Sequence, residues 1–146
     1  MRHIVFGTHG LLADSVPTLN EPALVLANPG REGDNDGFLT MSEIMGLTLN
    51  ADTVALTACE TGVGKNLTGE GVMGMGRAFQ MAGAKDVMMS LWQVSEDGAV
   101  ALTNEFLTGL SAGKTARDSL ADARLAMRRA GYEHPFYWSA FILMSR

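Results

Sequence analysis

Three short apolar runs, each closed by polar residues, set the frame of the chain. Ile4-Val5-Phe6 stops at Gly7 and gives way to Thr8-His9-Gly10, and Thr53-Val54-Ala55-Leu56-Thr57-Ala58 ends on Cys59. Val87-Met88-Met89-Ser90-Leu91-Trp92 ends before the polar stretch Ser95-Glu96-Asp97-Gly98. Runs this short, without alternation, predict strands buried on both faces. Between and after them the apolar spacing turns helical: Val72, Met75, Phe79 and Ala82, then Ala99, Leu102, Phe106 and Leu110. Ala116, Leu120, Ala123, Met127 and Ala130 continue the stripe, with Thr115 and Asp118 spaced as a capping box. A closing strand is predicted from Tyr137 to Leu143, after Pro135. Strands alternating with amphipathic helices predict one α/β domain over residues 1–146, with a mostly parallel sheet between helical layers.

Composition narrows what such a domain does. Sixteen acidic against eleven basic residues leave a net charge of −5, which argues against a phosphate-tracking surface, so no nucleic-acid partner is expected. The one basic pair, Arg128-Arg129, sits late in a helical pattern, where cations complement the helix dipole. No run is long and apolar enough to span a bilayer, and no signal-like segment precedes Gly7, so the expected location is the cytoplasm, away from membranes. A single cysteine excludes an internal disulfide and a multi-cysteine metal site. No metal or other cofactor is expected. Ten methionines, five of them between Met73 and Met89, are read as flexible core filler.

The chemistry gathers where the strands end. In open parallel sheets, reacting groups collect at the carboxyl ends of the strands, where His9, Cys59 and the Ser95–Asp97 stretch all fall. A thiol with a free pKa of about 8.5 is mostly protonated at neutral pH, so a nucleophilic cysteine needs a nearby base. His9 is placed to be that base. Either residue alone would be read as structural, since free cysteine is among the most buried residue types.

Five blocks along the chain carry a family resemblance: Phe6-Gly7-Thr8-His9-Gly10, Leu56-Thr57-Ala58-Cys59-Glu60-Thr61-Gly62, Gly69-Glu70-Gly71-Val72, Ser90-Leu91-Trp92-Gln93-Val94 and His134-Pro135-Phe136-Tyr137-Trp138. Together, in this order, they resemble a CHAT domain, a family similar to caspases, separases and legumains. The 50 residues from His9 to Cys59 agree with the spacing of about 50 in caspases. The resemblance implies a caspase-like three-layer αβα sandwich and a cysteine endopeptidase working through a Cys59–His9 dyad. It further implies an oxyanion hole from the backbone N–H groups of Gly10 and Cys59, and substrate contacts at Glu60, Glu96 and Asp97. Glu96 stands where the related separases carry an acid that reads a basic side chain before the scissile bond, with Glu here in place of the usual Asp. Ser95 and the two acids can equally cap a helix beginning near Gly98.

Relatives of this kind carry two more strand–helix units before the histidine strand, whereas this chain begins on it. The resemblance therefore implies an N-terminally incomplete catalytic portion with an exposed sheet edge. The expected partners are a polypeptide substrate and whatever completes the sheet: an N-terminal or helical-repeat region, or a second copy. Two rival functions stay open, a non-catalytic CHAT-like interaction module and a thiol acyl transfer on a non-peptide amide.

Other motifs are set aside. Gly69 to Gly74 satisfies G-x-G-x-x-G but does not sit on a strand-to-helix turn, and Gly113-Lys114-Thr115 follows a helix rather than a strand. Glu32, Asp34, Asp36, Gly37 and Glu43 approximate a calcium loop with Glu in the first position, and this pattern overlaps the Asn28–Gly37 stretch, which is expected to be exposed and is read as a linker or cleavage site. Thr40 and Glu43 form a capping box there instead.

Overall fold

A computed structural model describes residues 2–13, 16–17, 19–27, 36–57 and 70–146. The chain builds a central sheet from β1 (His3–Phe6), β5 (Thr53–Leu56), β6 (Asp86–Ser90) and β7 (Phe141–Ser145), in that spatial order. The first three run parallel and β7 is antiparallel to β6. A second, small antiparallel sheet joins β2 (Gly10–Leu11), β3 (Ala23–Val25) and β4 (Phe38–Thr40). The helices are α1 (Met41–Gly46), α2 (Glu70–Met81), α3 (Glu96–Ser111) and α4 (Ala116–Arg129). Among the described residues no helix is long and apolar enough to cross a membrane.

The sheet sits between two helical layers, as the unalternating strands require. On one face Val54, Leu56, Val87 and Met89 pack against Ile44 of α1 and Met75, Ala78 and Phe79 of α2. On the other, Ala55 and Met88 pack against Leu102 and Phe106 of α3 and Leu120 and Met127 of α4. Every residue of β5 is buried, and Val87, Met88 and Met89 of β6 are fully so, because both faces are covered. Burying Phe79, Phe106 and Phe141 completely makes each a strong anchor; truncating one to Ala costs about 3–5 kcal/mol. Met75, Met88, Met89 and Met127 are core residues, as the methionine count suggested, while Met81 is 67% exposed.

Glycine sets one close approach in these layers. A Cβ on Gly76 would meet Met89 Cε at 2.1 Å and Met144 Sδ at 2.7 Å, so α2 lies close on the sheet and a side chain there would have to push aside the flexible ends of two methionines. Gly74 of the set-aside glycine motif faces Met41, which places it too in packing.

Helix ends follow local chemistry. Thr40 and Glu43 form the full capping box of α1: Glu43 N–H donates to Thr40 Oγ1, and Thr40 N–H donates back to the Glu43 carboxylate. That engages Glu43 in a cap. Thr115 accepts from Asp118 N–H at 3.1 Å, but the Asp118 carboxylate accepts from the Thr115 hydroxyl rather than from its backbone, so this box is only half formed. An aspartate is one methylene shorter than the Glu or Gln the full box uses. Gly113 takes φ 83° in the turn between α3 and α4, where Lys114 pairs with Asp122 at 2.5 Å. Arg128 and Arg129 occupy the last turn of α4, and Arg128 also lies over the Trp138 ring.

One expectation needs correction and another is sharpened. The closing strand starts at Phe141 rather than Tyr137, because Pro135–Tyr137 forms a 3-10 helix capped by His134. Helix α3 starts at Glu96, two residues before Gly98, with Ser95 as its cap. The Asn28–Gly37 stretch, with Glu32 and Asp34 of the calcium-like pattern, falls outside the described residues up to residue 35.

Candidate active site

His9 follows β1 and is held from below by the small sheet. Val25 N–H donates to the His9 carbonyl at 2.8 Å, and the Thr8 hydroxyl donates to the Val25 carbonyl. The turn carrying His9 is thereby fastened to β3 on both sides. His9 itself is exposed. Gly10 opens β2 and stands opposite Leu24. Since His9 and Val25 form the hydrogen-bonded rung, the alternation of an antiparallel ladder turns the Gly10 N–H away from β3.

The end of β5 is tied to the end of β1. Thr57 donates to the Phe6 carbonyl twice, from its N–H at 3.1 Å and from Oγ1 at 3.3 Å. Cys59, Glu60 and Gly69 lie outside the described residues, so the thiol of the expected dyad and the Glu60 contact have no described geometry.

A cavity of about 620 Å³ opens beside this point. Gly7, Thr8, His9 and Thr57 line its upper end together with Ser90, at the close of β6. Gln93 and Val94, from the loop after β6, and Glu96, the first residue of α3, form its rim. Its length is set by α3, whose residues Glu96, Val100, Thr103, Asn104 and Leu107 face Val5 of β1 across the trough. The eleven steps from Glu96 to Leu107, at 1.5 Å rise each, make that wall roughly 16 Å long. The trough exists because the α3 face of the sheet is covered over Ala55 (1% exposed) and Met88 (0%) but not over their neighbour Val5, which is 43% exposed.

The structure thus brings His9, Thr57 and Glu96 to one cavity, while Asp97 is not among its lining residues. Ser95 Oγ accepts from Gly98 N–H at 3.3 Å with both acids in the first turn, so the capping reading of this stretch holds as well. Gln93, Val100, Thr103 and Asn104 escaped the reading of the sequence. For the three on α3 the signal was a second stripe, at 96, 100, 103, 104 and 107, beside the core stripe at 102, 106 and 110. The strongly perturbed carboxyl of the described residues lies elsewhere: Asp52 precedes β5, at the opposite end of the sheet from His9.

The comparisons with known proteins agree with this architecture. Residues 1–146 match the model of the CHAT domain. Tetratricopeptide repeat protein 28 of Mus musculus is 29% identical over 108 residues, covering 73% of this chain and 4% of that protein. Its Homo sapiens counterpart is 30% identical over 108 residues, with the same coverage. The chain therefore spans a small fraction of the curated relatives it matches. With a family match along its whole length and the layered, mostly parallel sheet, the chain belongs to the CHAT-domain family, a caspase-like peptidase family.

Proposed function

We propose that this chain is the catalytic portion of a cysteine endopeptidase in which Cys59 is the nucleophile and His9 its base. The observation that carries the reading is the register of β1 on β5. His3 stands opposite Thr53 through to Phe6 opposite Leu56, a constant offset of 50 residues that also separates His9 from Cys59. Neighbouring strands lie about 4.8 Å apart, a spacing from which two strand-end side chains can meet over a scissile bond.

In the proposed reaction His9 takes the Cys59 thiol proton and the sulfur attacks the peptide carbonyl carbon. The Gly10 N–H, turned away from β3, and the Cys59 N–H hold the oxyanion that forms. As the C–N bond breaks, the imidazolium returns its proton to the leaving amine. Water, deprotonated by the same imidazole, then attacks the thioester, releasing the new carboxylate and restoring the thiol. Glu96 on the cavity rim supports a preference for Arg or Lys before the scissile bond: the aliphatic stem would lie along Val94 and Val100 and the cation would reach the carboxylate. Asp97 and Glu60 are secondary contacts in this proposal.

The test is labelling by a peptidyl electrophile carrying Arg at the reactive position. Cys59→Ala should abolish the adduct, and His9→Ala should slow it by about 10²–10⁴, the usual worth of a general base. Labelling of Cys59 no faster than that of a free thiol, and indifferent to His9→Ala, would overturn the reading. Equal labelling by neutral and basic electrophiles would remove the basic preference alone.

One observation favours a second reading, a non-catalytic interaction module. Bare β1, with Val5 43% exposed, offers an edge to a partner, and the curated relatives are tetratricopeptide repeat proteins by name. A helical-repeat region or a second copy would complete the sheet there. Unreactive Cys59 in the presence of such a partner would select this reading.

A further inference from the structure

The cavity's rim, the loop 91–95 between β6 and α3, is short of supports of its own. Leu91 N–H donates to the Ala140 carbonyl at 2.9 Å, and Ser95 caps α3. Between them Gln93 and Val94 project into the cavity wall from a stretch without regular structure. Trp92 bridges this gap. Its indole N–H donates to the Phe136 carbonyl at 3.1 Å, and the two rings lie 6.3 Å apart at 32°.

What Trp92 rests on is rigid. His134 Nδ1 accepts from Phe136 N–H at 3.2 Å, and Pro135 begins the 3-10 helix with a fixed φ. The Pro135 carbonyl accepts from Trp138 N–H, Ser139 N–H and Ser139 Oγ at 3.2, 2.8 and 2.8 Å. Tyr137 then packs edge-on against Phe136 and Tyr132, at 5.8 and 5.4 Å. The same Tyr137 reaches under the start of α3: a Cβ on Gly98 would meet its Cδ1 at 3.4 Å and Val94 Cγ1 at 3.2 Å. The aromatic platform therefore touches the rim at two points, Trp92 before it and Gly98 after it.

We propose that Trp92 is a positioning residue for the substrate cavity, holding Gln93, Val94 and Glu96 in place against His9 through its bond to the Phe136 carbonyl and its contact with the Phe136 ring. Trp92 does not line the cavity, so its effect is on the rim and not on the reacting atoms. This role rests on the cavity being the substrate site, but the latch itself can be read without any reaction.

The test uses the whole chain with Trp92→Phe, which keeps a ring against Phe136 and removes the N–H donor. Hydrogen exchange at Gly98 and Ala99, whose N–H groups donate to Ser95, should speed up about five- to tenfold, the loss expected for one ordinary hydrogen bond. Amides from Leu102 to Leu110 and throughout α4 should keep their rates. Unchanged exchange at Gly98 and Ala99, or equal loosening of all of α3 and α4, overturns the proposal. Phe136→Leu, at a position 45% exposed, approaches the same contact from the platform side and should loosen the same two amides; no change there also counts against the latch. With the Arg-bearing peptidyl electrophile, Trp92→Phe should raise the half-saturating concentration several-fold and leave the limiting rate of Cys59 labelling unchanged. A fall in the limiting rate alone contradicts a positioning role. If the native chain shows no labelling, the peptidase reading falls, and the exchange measurement alone decides the latch.

Discussion

Thr57 is bound to the Phe6 carbonyl by two donors at once, its own N–H at 3.1 Å and its Oγ1 at 3.3 Å. Parallel strands ordinarily share one such bond per carbonyl, and here the second locks the point where both strands give way to loops. Thr57 is the last described residue before the proposed nucleophile, and Phe6 lies three residues before the proposed base.

Thr57→Val keeps the shape of the side chain and the N–H bond but removes the hydroxyl donor. Its expected cost in unfolding free energy is about 0.5–1.5 kcal/mol, because the Phe6 carbonyl stays satisfied and only one modest bond is lost. Denaturant titration measures that cost. If the second bond fixes the strand ends, labelling of Cys59 should slow beyond what the small loss of stability accounts for; unchanged labelling would leave Thr57 with a stabilising role alone.

Much of this site could be read from the sequence because of how β1, β5 and β6 are buried. Strands covered on both faces carry unbroken apolar runs, and His9 and the Ser95–Glu96 pair stand out in the polar stretches that follow their ends. The small sheet was not readable: β2 has two residues and β3 and β4 three each, too few for any periodicity, and their pairing joins distant segments. Yet β3 is what fastens the His9 turn. The late start of β7 was hidden for a different reason, since Phe136-Tyr137-Trp138 is as apolar as a strand but Pro135 and the His134 cap wind it into a 3-10 helix. Thr103 and Asn104 lie on a second stripe of α3 whose meaning depends on the exposed face of β1, a tertiary fact the stripe alone does not convey.

The α3–α4 contact turns on Gly109. A Cβ there would meet Ser119 Oγ at 2.7 Å, Cβ at 2.9 Å and Cα at 3.1 Å, and Ser119 is fully buried. Gly109→Ala gains about 1 kcal/mol of helix propensity but overpacks a helix crossing, which costs about 1–3 kcal/mol and rises where backbone is in the way. Net destabilisation of about 1–2 kcal/mol is expected, and about half of it should return in the Ser119→Gly background, where Oγ and Cβ are gone. Ser119→Ala alone should be neutral or stabilising, since its buried hydroxyl has no hydrogen-bond partner among the described residues. Thermal melts of the four variants check the set.

Gly83 and Gly113 both take positive φ, at 119° and 83°, but in different surroundings. A Cβ on Gly83 would lie 2.1 Å from the Leu49 carbonyl oxygen, whereas Gly113 has nothing within 4 Å. Gly113→Ala should therefore cost only the left-handed backbone penalty of about 1–2 kcal/mol. Gly83→Ala adds displacement of the 49 backbone, whose N–H bonds the Ala82 carbonyl at 2.6 Å, and should cost at least about 3 kcal/mol. Equal costs for the two, measured by urea titration, would mean the chain around Leu49 yields freely.

Acid should act on the end of the sheet opposite the site. The Lys85 ammonium, bonded to Asp52 at 2.5 Å, and the Arg2 N–H at 2.8 Å hold the Asp52 carboxyl down, from 3.8 to about 2. A carboxyl whose folded pKa is depressed contributes stability that is fully present above its unfolded value and lost as pH falls through its folded one. Between about pH 4 and pH 2 the unfolded chain binds a proton at Asp52 that the folded chain does not, so stability should fall with falling pH across that window. Asp52→Asn should flatten this part of the stability curve and leave the slope between pH 5 and 8 unchanged. Because the pair lies at the surface, with the Lys85 side chain exposed and Asp52 partly so, the difference between the two proteins should shrink in 1 M salt, where screening acts within about 3 Å. An identical acid slope for native and Asp52→Asn chains at low salt would show that the Lys85 contact does not persist in solution.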